Sequence, residues 1–400
     1  MLVGIACGAA SAAFLWLLEE ATHLRETHLA IVYALPIAGL ALGLVYERWG
    51  TSIEGGNDLI IDTIHEHRLQ LPLRMAPMVL AGTVLTHLFG GSAGREGTAV
   101  QMGATLADAI AHRFHLTKQM RRLLLIAGIA GGFGSVFGTP IAGAIVGLEV
   151  LVIGRLELRA LGPALVASFV GDFVTRRLGV AHTAYPHLSH VPITLTLFAE
   201  LALMGVAMAL AAVAFVELTH HLKSFLQKRI PRLPVRMFVG GCAVVLMWRL
   251  IGSSDYLGLG VASIVAAFHD PSLPSYAFAA KILLTSVTLS SGFLGGEVTP
   301  LFFVGATLGA VLARAFGVPI ELGAGVGIAA VFGAAANAPL SLSIMAVELL
   351  GWNVMPHVFV VTAIAFVLAG HRGIYAAQRI MRTKWGGVVT PGRALRDFRK

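Results

Sequence analysis

The chain has 400 residues and a mass of 42.0 kDa, and its composition excludes a water-soluble protein. Charged residues make up 12% of it, against about 25% in a soluble globular domain. Hydrophobic residues reach 56% and the mean hydropathy is +0.81, so the polar surface is too small to cover a folded chain in water. The composition indicates a polytopic integral membrane protein. It excludes a disordered chain and a nucleic-acid binder, and two cysteines in distant apolar runs exclude a disulfide scaffold.

Apolar runs without Asp, Glu, Lys or Arg follow one another along the chain, with short basic clusters between some of them. They include residues 1–18, 28–46, 75–94, 123–148, 160–171, 201–216, 237–248, 298–313, 322–347 and 349–370. A straight membrane-spanning helix needs about 20 apolar residues. Several runs are shorter, and Pro140 and Pro339 interrupt two others. Short and interrupted segments are typical of transporters and channels whose half-helices end inside the membrane.

The chain repeats itself at a spacing close to 200 residues. Phe133-Gly134, Pro140 and Glu149 recur as Phe332-Gly333, Pro339 and Glu348, at an offset of 199. Gly94 to Thr98 recurs as Gly295 to Thr299, at an offset of 201. We predict a first transmembrane repeat over 1–190, a second over 191–384, and a basic cytoplasmic tail over 385–400. These patterns leave open whether the repeats are parallel or inverted.

Three glycine-rich turns each precede an apolar run. They contain Gly55, Gly56 and Asn57; Gly94, Arg95, Glu96, Gly97 and Thr98; and Gly295, Gly296, Glu297 and Thr299. Helix N-termini carry unpaired N–H groups and about half a positive charge, so several such ends aimed at one place would bind an anion without a cationic side chain. The sequence therefore predicts an anion site built from these turns.

Glu96 and Glu297 are the candidate gating groups. A carboxylate at membrane depth costs at least about 2.5 kcal/mol, and these two occupy equivalent positions in the two halves. An ion pair with Arg95 or simple helix capping would also explain them. Asn57, Thr98 and Thr299 add neutral donors, although each could instead cap its helix. We expect Glu96 and Glu297 to share one buried niche.

Other motifs are weaker. Gly90 to Gly94 matches the G-x-S-x-G pattern around Ser92, with His87 as the nearest base, but no strand precedes it. Glu149 and Glu348 favour helix-end or interface roles over a proton relay. A metal site at His65, Glu66 and His67 has no further support in the sequence, and we predict no metal or cofactor.

These motifs resemble the CLC superfamily of anion channels and proton-coupled antiporters, and in detail its fluoride/proton antiporter branch. The resemblance rests on Gly94-Arg95-Glu96-Gly97, on the turn at 295–300 and on the repeated Phe/Gly/Pro/Glu pattern, and it covers about residues 50–380. It implies a gating role for Glu96, ion handling by Glu297 and Thr299, and pathway positions for Asn57 and for Tyr375 on the last helix. Chloride antiporters place an inner proton-transfer glutamate where this chain has Val150, so a chloride-type proton route does not carry over.

The resemblance implies an all-α fold of two inverted-repeat halves with discontinuous helices, and a homodimer in the lipid bilayer. It also implies export of fluoride in exchange for protons across the bacterial inner membrane. Fluoride is the strongest hydrogen-bond acceptor among the halides, and dense, acidic donors would replace its hydration shell. A chloride-type channel or antiporter remains an alternative, and an intramembrane hydrolase using Ser92 is a more distant one.

Overall fold

The computed structural model describes residues 1–66, 70–387, 389 and 393–398. This part of the chain is mostly helical, and its α-helices divide into two sets of eight. The first set is α1 (Leu2–Thr27), α2 (Leu35–Trp49), α3 (Gly56–Glu66), α4 (Met75–Leu88), α5 (Glu96–Arg113), α6 (Lys118–Phe137), α7 (Pro140–Glu149) and α8 (Leu161–Arg177). The second set is α9 (Leu195–Arg229), α10 (Leu233–Ile251), α11 (Val261–Ala266), α12 (Ala277–Ser290), α13 (Val298–Phe316), α14 (Ile320–Ala336), α15 (Pro339–Leu350) and α16 (Met355–Leu368).

The helix lengths confirm a multi-pass protein with broken spans. Seven of the described helical segments are long and apolar enough to cross a membrane, and six shorter apolar ones have 10–17 residues. Two of the shorter helices have an end inside the packed bundle, α12 at the buried Ser290 and α14 at the buried Ala336, where neighbouring helices take the place of water. The segment α3 differs from the predicted apolar helix, because Asp58, Asp62 and Glu66 give it an acidic face.

The two sets pack in the same way. α1 packs against α4 and α6 as α9 packs against α12 and α14, and α5 packs on α6 as α13 packs on α14. Gly94 and Gly296, at equivalent places in the two halves, form an antiparallel bridge where the halves meet. The fold is an inverted repeat, as the family resemblance implied. The predicted boundary at residue 190 falls in the helix-free segment between α8 and α9.

Equivalent breaks separate α6 from α7 and α14 from α15. Each first helix ends at a residue in the left-handed conformation, Gly138 with φ 76° and Asn337 with φ 55°. Each second helix begins at a proline, Pro140 or Pro339, whose missing N–H costs nothing at a first helical position. The repeated prolines thus start new half-helices.

A short parallel pairing joins the halves on one side of the molecule. β1 (Val152–Ile153) follows α7 and pairs with β2 (Arg379–Ile380) beyond α16. Residues 388, 390–392 and 399–400 of the predicted tail lie outside the described residues, and residues 393–398 fold back against the segment around β2. The described end of the chain is therefore packed against both halves.

Candidate functional site

Two of the three predicted glycine-rich turns meet at the centre of the protein. The N–H of Gly94 donates to the carbonyl of Gly296 at 2.6 Å, and the N–H of Gly296 donates back at 2.8 Å. A Cβ on Gly97 would lie 3.2 Å from both Asn57 Nδ2 and Gly296 Cα. Glycine at this position therefore allows the start of α5 to approach α3 and the other half closely. The pairing brings the N-termini of α3, α5 and α13 together.

The Glu96 side chain lies against the N-terminus of α13, a helix of the other half. Its Oε2 accepts a hydrogen bond from the Thr299 N–H at 3.1 Å, and its Oε1 accepts one from the Thr299 hydroxyl at 2.5 Å. The N–H of Arg95 also donates to Oε2, at 3.1 Å. The Glu96 side chain is only 1% exposed, so these donors replace water around the carboxylate. The N-terminus of α13 thus holds the carboxyl group of a residue from the other half.

An ion pair with Arg95 and helix capping were the structural roles that the sequence also allowed for these side chains. The contacts agree with these roles only in part. Arg95 Nε lies 3.6 Å from Glu96 Oε1, which is longer than both bonds from Thr299. Thr299 donates to Glu96 and makes no cap bond at the start of α13. Thr98 makes no cap bond either, since its hydroxyl pairs with that of Thr83 at 2.7 Å. The threonines therefore serve the contacts between elements.

Two cavities flank this meeting point. The smaller one, about 30 Å³, is mainly apolar; Glu96 borders it, as do Val150 and the repeated Phe133 and Phe332. The larger one, about 250 Å³, is polar and is bordered by Glu297 and Thr98. We expected Glu96 and Glu297 in one niche. The two carboxylates border adjoining cavities that share Asn57 and Tyr375 as lining residues, so a single shared niche stays a prediction.

Asn57 and Tyr375 form the wall between the cavities, because both residues line both of them. Within the described structure, Asn57 Oδ1 is buried and accepts no hydrogen bond. The Asn57 amide therefore has an unused hydrogen-bonding position at the boundary of the two cavities. Glu297 is the residue that precedes α13 and is half-buried. These placements put all five predicted pathway residues around one central region.

Tyr375 does not lie on the last helix, which corrects the expectation from the resemblance. The last helix, α16, ends at Leu368, and Tyr375 follows in an irregular segment before β2. The N–H of Ile374 donates to the carbonyl of Ala335 at 2.9 Å, next to the break after α14. Tyr375 is thus positioned by the broken α14 and α15 pair.

Sequence analysis missed two buried amides that hold this segment. Gln378 Nε2 donates to the carbonyls of Val150 and Ala336, both at 2.8 Å. Gln378 Oε1 accepts from Asn337 Nδ2 at 3.1 Å. The only signal in the sequence was an asparagine at the equivalent of Gly138, where a left-handed residue ends the helix. The two amides join the break after α14 and the end of α7 to the segment that carries Tyr375.

The hydrolase alternative gains no geometric support. Ser92 Oγ lies 2.9 Å from the Thr285 hydroxyl, while the two ring nitrogens of His87 face the carbonyls of Thr83 and Ala93. His87 is therefore not placed as a base for Ser92. In the weak metal motif, His65 contacts the carbonyl of Leu151, Glu66 pairs with Arg379, and His67 lies outside the described residues.

The fold and the site define a class of protein: a multi-pass membrane protein of two inverted halves, whose broken helices bring N-termini and a carboxylate together at the centre. The chain belongs to the voltage gated chloride channel family, whose model matches residues 38–370.

Several relatives and solved structures are similar to this chain. A protein of Pseudomonas syringae pv. tomato named "Chloride/fluoride channel protein" is 46% identical over 389 residues, covering 96% of this chain and 86% of that protein. A solved CLC-type fluoride/proton antiporter is 36% identical with a TM-score of 0.92, covering 95% of this chain and 96% of that one. A slow cyanobacterial Cl⁻/H⁺ antiporter shares the fold at 19% identity, with a TM-score of 0.80 and 92% of each chain covered.

Proposed function

We propose that this protein exports fluoride in exchange for protons. The observation that carries the proposal is the position of the Glu96 carboxylate on the N–H and hydroxyl of Thr299. These donors at the start of α13 are the ones an anion would use. The names of the 46% identical relative and of the 36% identical solved structure support fluoride as the anion.

Competition for the same donors would couple the two ions. When ionised, Glu96 holds Thr299 and blocks the anion path at that point. When protonated, it loses its charge and much of its capacity to accept, so the donors are released to fluoride and the side chain carries the proton. Because the anion and the carboxylate exclude each other, movement of one is tied to movement of the other.

The donor types suit fluoride better than chloride. Fluoride is small and strongly hydrated, and only short, strong hydrogen bonds can replace its hydration. Thr299 and the Asn57 amide, together with the Tyr375 hydroxyl and a protonated Glu297, would supply such donors along the cavity wall. In this proposal Glu297 binds fluoride at the larger cavity and passes it, together with the proton of the Glu297 carboxyl group, to the wall formed by Asn57 and Tyr375.

The larger cavity is the proposed cytoplasmic entrance. Lys223 at the end of α9 and Arg236 at the start of α10 border it, and they belong to the basic cluster between these helices. Basic loops face the cytoplasm in bacterial inner-membrane proteins. Fluoride would therefore enter beside Lys223 and leave past Glu96. We further propose an inner-membrane location and a homodimer surrounded by lipid, as the family resemblance implies.

Ion efflux from proteoliposomes tests the proposal directly. Purified protein is reconstituted with internal fluoride or internal chloride, and release is followed with ion-selective electrodes with and without an imposed proton gradient. We expect a proton gradient into the vesicles to accelerate fluoride release and chloride release to stay small. Equal chloride release would favour the chloride-type alternative, and fluoride release indifferent to the gradient would contradict antiport.

A further inference from the structure

Two described segments near the end of the chain form a strap on the side of the site where the larger cavity lies. We define the C-terminal strap as residues 374–380 and 393–398. Its two segments are held together by backbone bonds from Ile380 to Arg393, from Leu395 to Gln378 and from Arg396 to Ala376, at 2.8–3.1 Å. Leu395 is fully buried in a small apolar cluster that includes Ile153 and Ile380. The strap is therefore anchored to the first half through β1.

The C-terminal strap docks on the acidic face of α3. Asp58, Asp62 and Glu66 are spaced four residues apart, so they lie on one side of that helix. Asp58 accepts from the N–H of Ala377 at 2.9 Å, and Arg379 donates to Glu66 at 2.6 Å. The strap thus covers α3 from its first turn to its last.

Asp62 and Arg396 make the central contact of this docking. The two terminal nitrogens of the Arg396 guanidinium donate to the two oxygens of Asp62, at 3.0 and 3.2 Å. A forked pair of this kind fixes orientation as well as distance. Arg379 also lies 3.5 Å from Asp62, so loss of Arg396 would not leave the carboxylate without a positive neighbour.

The docking joins the two residues of the cavity wall. Asn57 stands at the start of α3, next to Asp58, and Tyr375 stands on the strap, two residues before Ala377. The segment that carries Tyr375 thus has two anchors, the bond from Ile374 to Ala335 on one side and this docking on the other, so a shift of the strap on α3 acts on the placement of Tyr375 relative to Asn57. We propose that the Asp62–Arg396 pair is a positioning contact that sets the gap between Asn57 and Tyr375 and so limits uncoupled fluoride leak between the two cavities. This inference rests on the proposed function, because leak and coupling presuppose fluoride/proton exchange.

Flux measurements on Arg396 variants test the strap. In proteoliposomes, Arg396→Gln should raise uncoupled fluoride leak about two- to fivefold, the range expected for a partly exposed ion pair, and should lower the number of protons moved per fluoride. Arg396→Lys keeps the charge without the fork and should lie between wild type and Arg396→Gln. The matched control is Arg393→Gln, which removes the same charge from an exposed side chain of the same strap and should keep the wild-type ratio.

Salt supplies a second measurement that needs no mutation. Raising potassium gluconate from about 0.05 to 0.5 M screens partly exposed charges, so it should raise leak in wild type and have less effect in Arg396→Gln. If Arg396→Gln does not fold, the change of wild-type leak with salt decides by itself whether the Asp62–Arg396 pair limits leak. A wild-type proton-to-fluoride ratio in Arg396→Gln, or a wild-type fluoride leak that does not change with salt, would overturn the proposed role of the strap. Neither result would contradict antiport itself. Absence of proton-linked fluoride flux in wild type would instead overturn the proposed function.

Discussion

Glu149 and Glu348 each cap the helix on which the other residue lies. Glu149 ends α7, and its carboxylate accepts from the N–H groups of Leu340 and Ser341 at 3.1 and 2.8 Å, and from the Ser341 hydroxyl at 2.6 Å, at the start of α15. Glu348, near the end of α15, accepts from the N–H groups of Ile141 and Ala142 at 3.0 and 2.7 Å, at the start of α7. The repeated glutamates thus satisfy helix ends that lipid could not satisfy.

Loss of either cap should destabilise the protein by a similar amount without changing coupling. Glu149→Leu and Glu348→Leu each leave two N–H groups unpaired, and we expect each to lower the free energy of unfolding by about 1–3 kcal/mol. Thermal unfolding in detergent measures the loss. Ser341→Ala is the control, since it removes a hydroxyl but keeps the backbone donors. A changed proton-to-fluoride ratio in Glu149→Gln at normal stability would show that Glu149 acts as a proton relay instead.

Glu96→Gln should abolish proton-coupled fluoride exchange. The amide matches the protonated carboxyl in size but cannot release a proton, and it binds Thr299 without the negative charge that makes the present contact strong. Fluoride and proton fluxes measured together in proteoliposomes report the loss. Glu348→Gln neutralises a carboxylate of similar chemistry away from the cavities and should keep the wild-type proton-to-fluoride ratio. Unchanged proton-linked fluoride transport in Glu96→Gln would refute the gate.

Local sequence patterns predicted the helices and their breaks better than they predicted the contacts between the two halves. The repeat of Pro140 and Pro339 predicted paired breaks, and helices do begin at both residues. The spacing of the repeat shows that Glu96 and Glu297 are equivalent residues, but it does not give the distance between them in the fold. We expected both in one niche, and in the structure they border two adjoining cavities that share Asn57 and Tyr375.

The contacts of the strap were also beyond sequence analysis. Asp62 and Arg396 are separated by 334 positions, and each has the character of an ordinary surface charge. Only the three-dimensional structure shows that Asp62 and Arg396 form an ion pair. The same holds for Gln378, whose buried amide bonds two carbonyls from different halves. Long-range polar contacts of this kind leave no periodic pattern in a single sequence.

Glu297→Gln should slow fluoride turnover more than it affects folding. The variant keeps the shape of the side chain at the start of α13 but removes a group that can carry a proton beside the larger cavity. Positioned proton transfer contributes at least about a hundredfold in enzymes, and we expect a loss of about tenfold or more here. The measurements are fluoride efflux and size-exclusion elution. Glu54→Gln removes a charge from the exposed rim of the same cavity and should stay within about twofold of wild type; equal losses in both variants would contradict a specific role.

Lys384 should make the stability of the protein depend on pH above neutrality. Its ammonium group lies beyond the last helix, where it donates to the carbonyl of Phe366 at 2.8 Å and lies 4.0 Å from the centre of the Phe366 ring. Burial lowers the pKa of Lys384 from 10.5 to about 7. Between these two values the unfolded chain binds more protons than the folded one, so the free energy of unfolding rises as the pH increases from 7.

Lys384→Met should remove this dependence, because methionine keeps most of the apolar contact with Phe366 and has no proton to lose. Thermal unfolding in detergent at pH 7 and pH 9 should show a gain of about 1–2 kcal/mol in wild type that is absent from the variant. Lys228→Met changes an exposed lysine at the end of α9 and should retain the wild-type slope. An identical slope in Lys384→Met and wild type would mean that the Lys384 ammonium stays charged at pH 9, in contradiction to the lowered pKa expected from its half-buried position against Phe366.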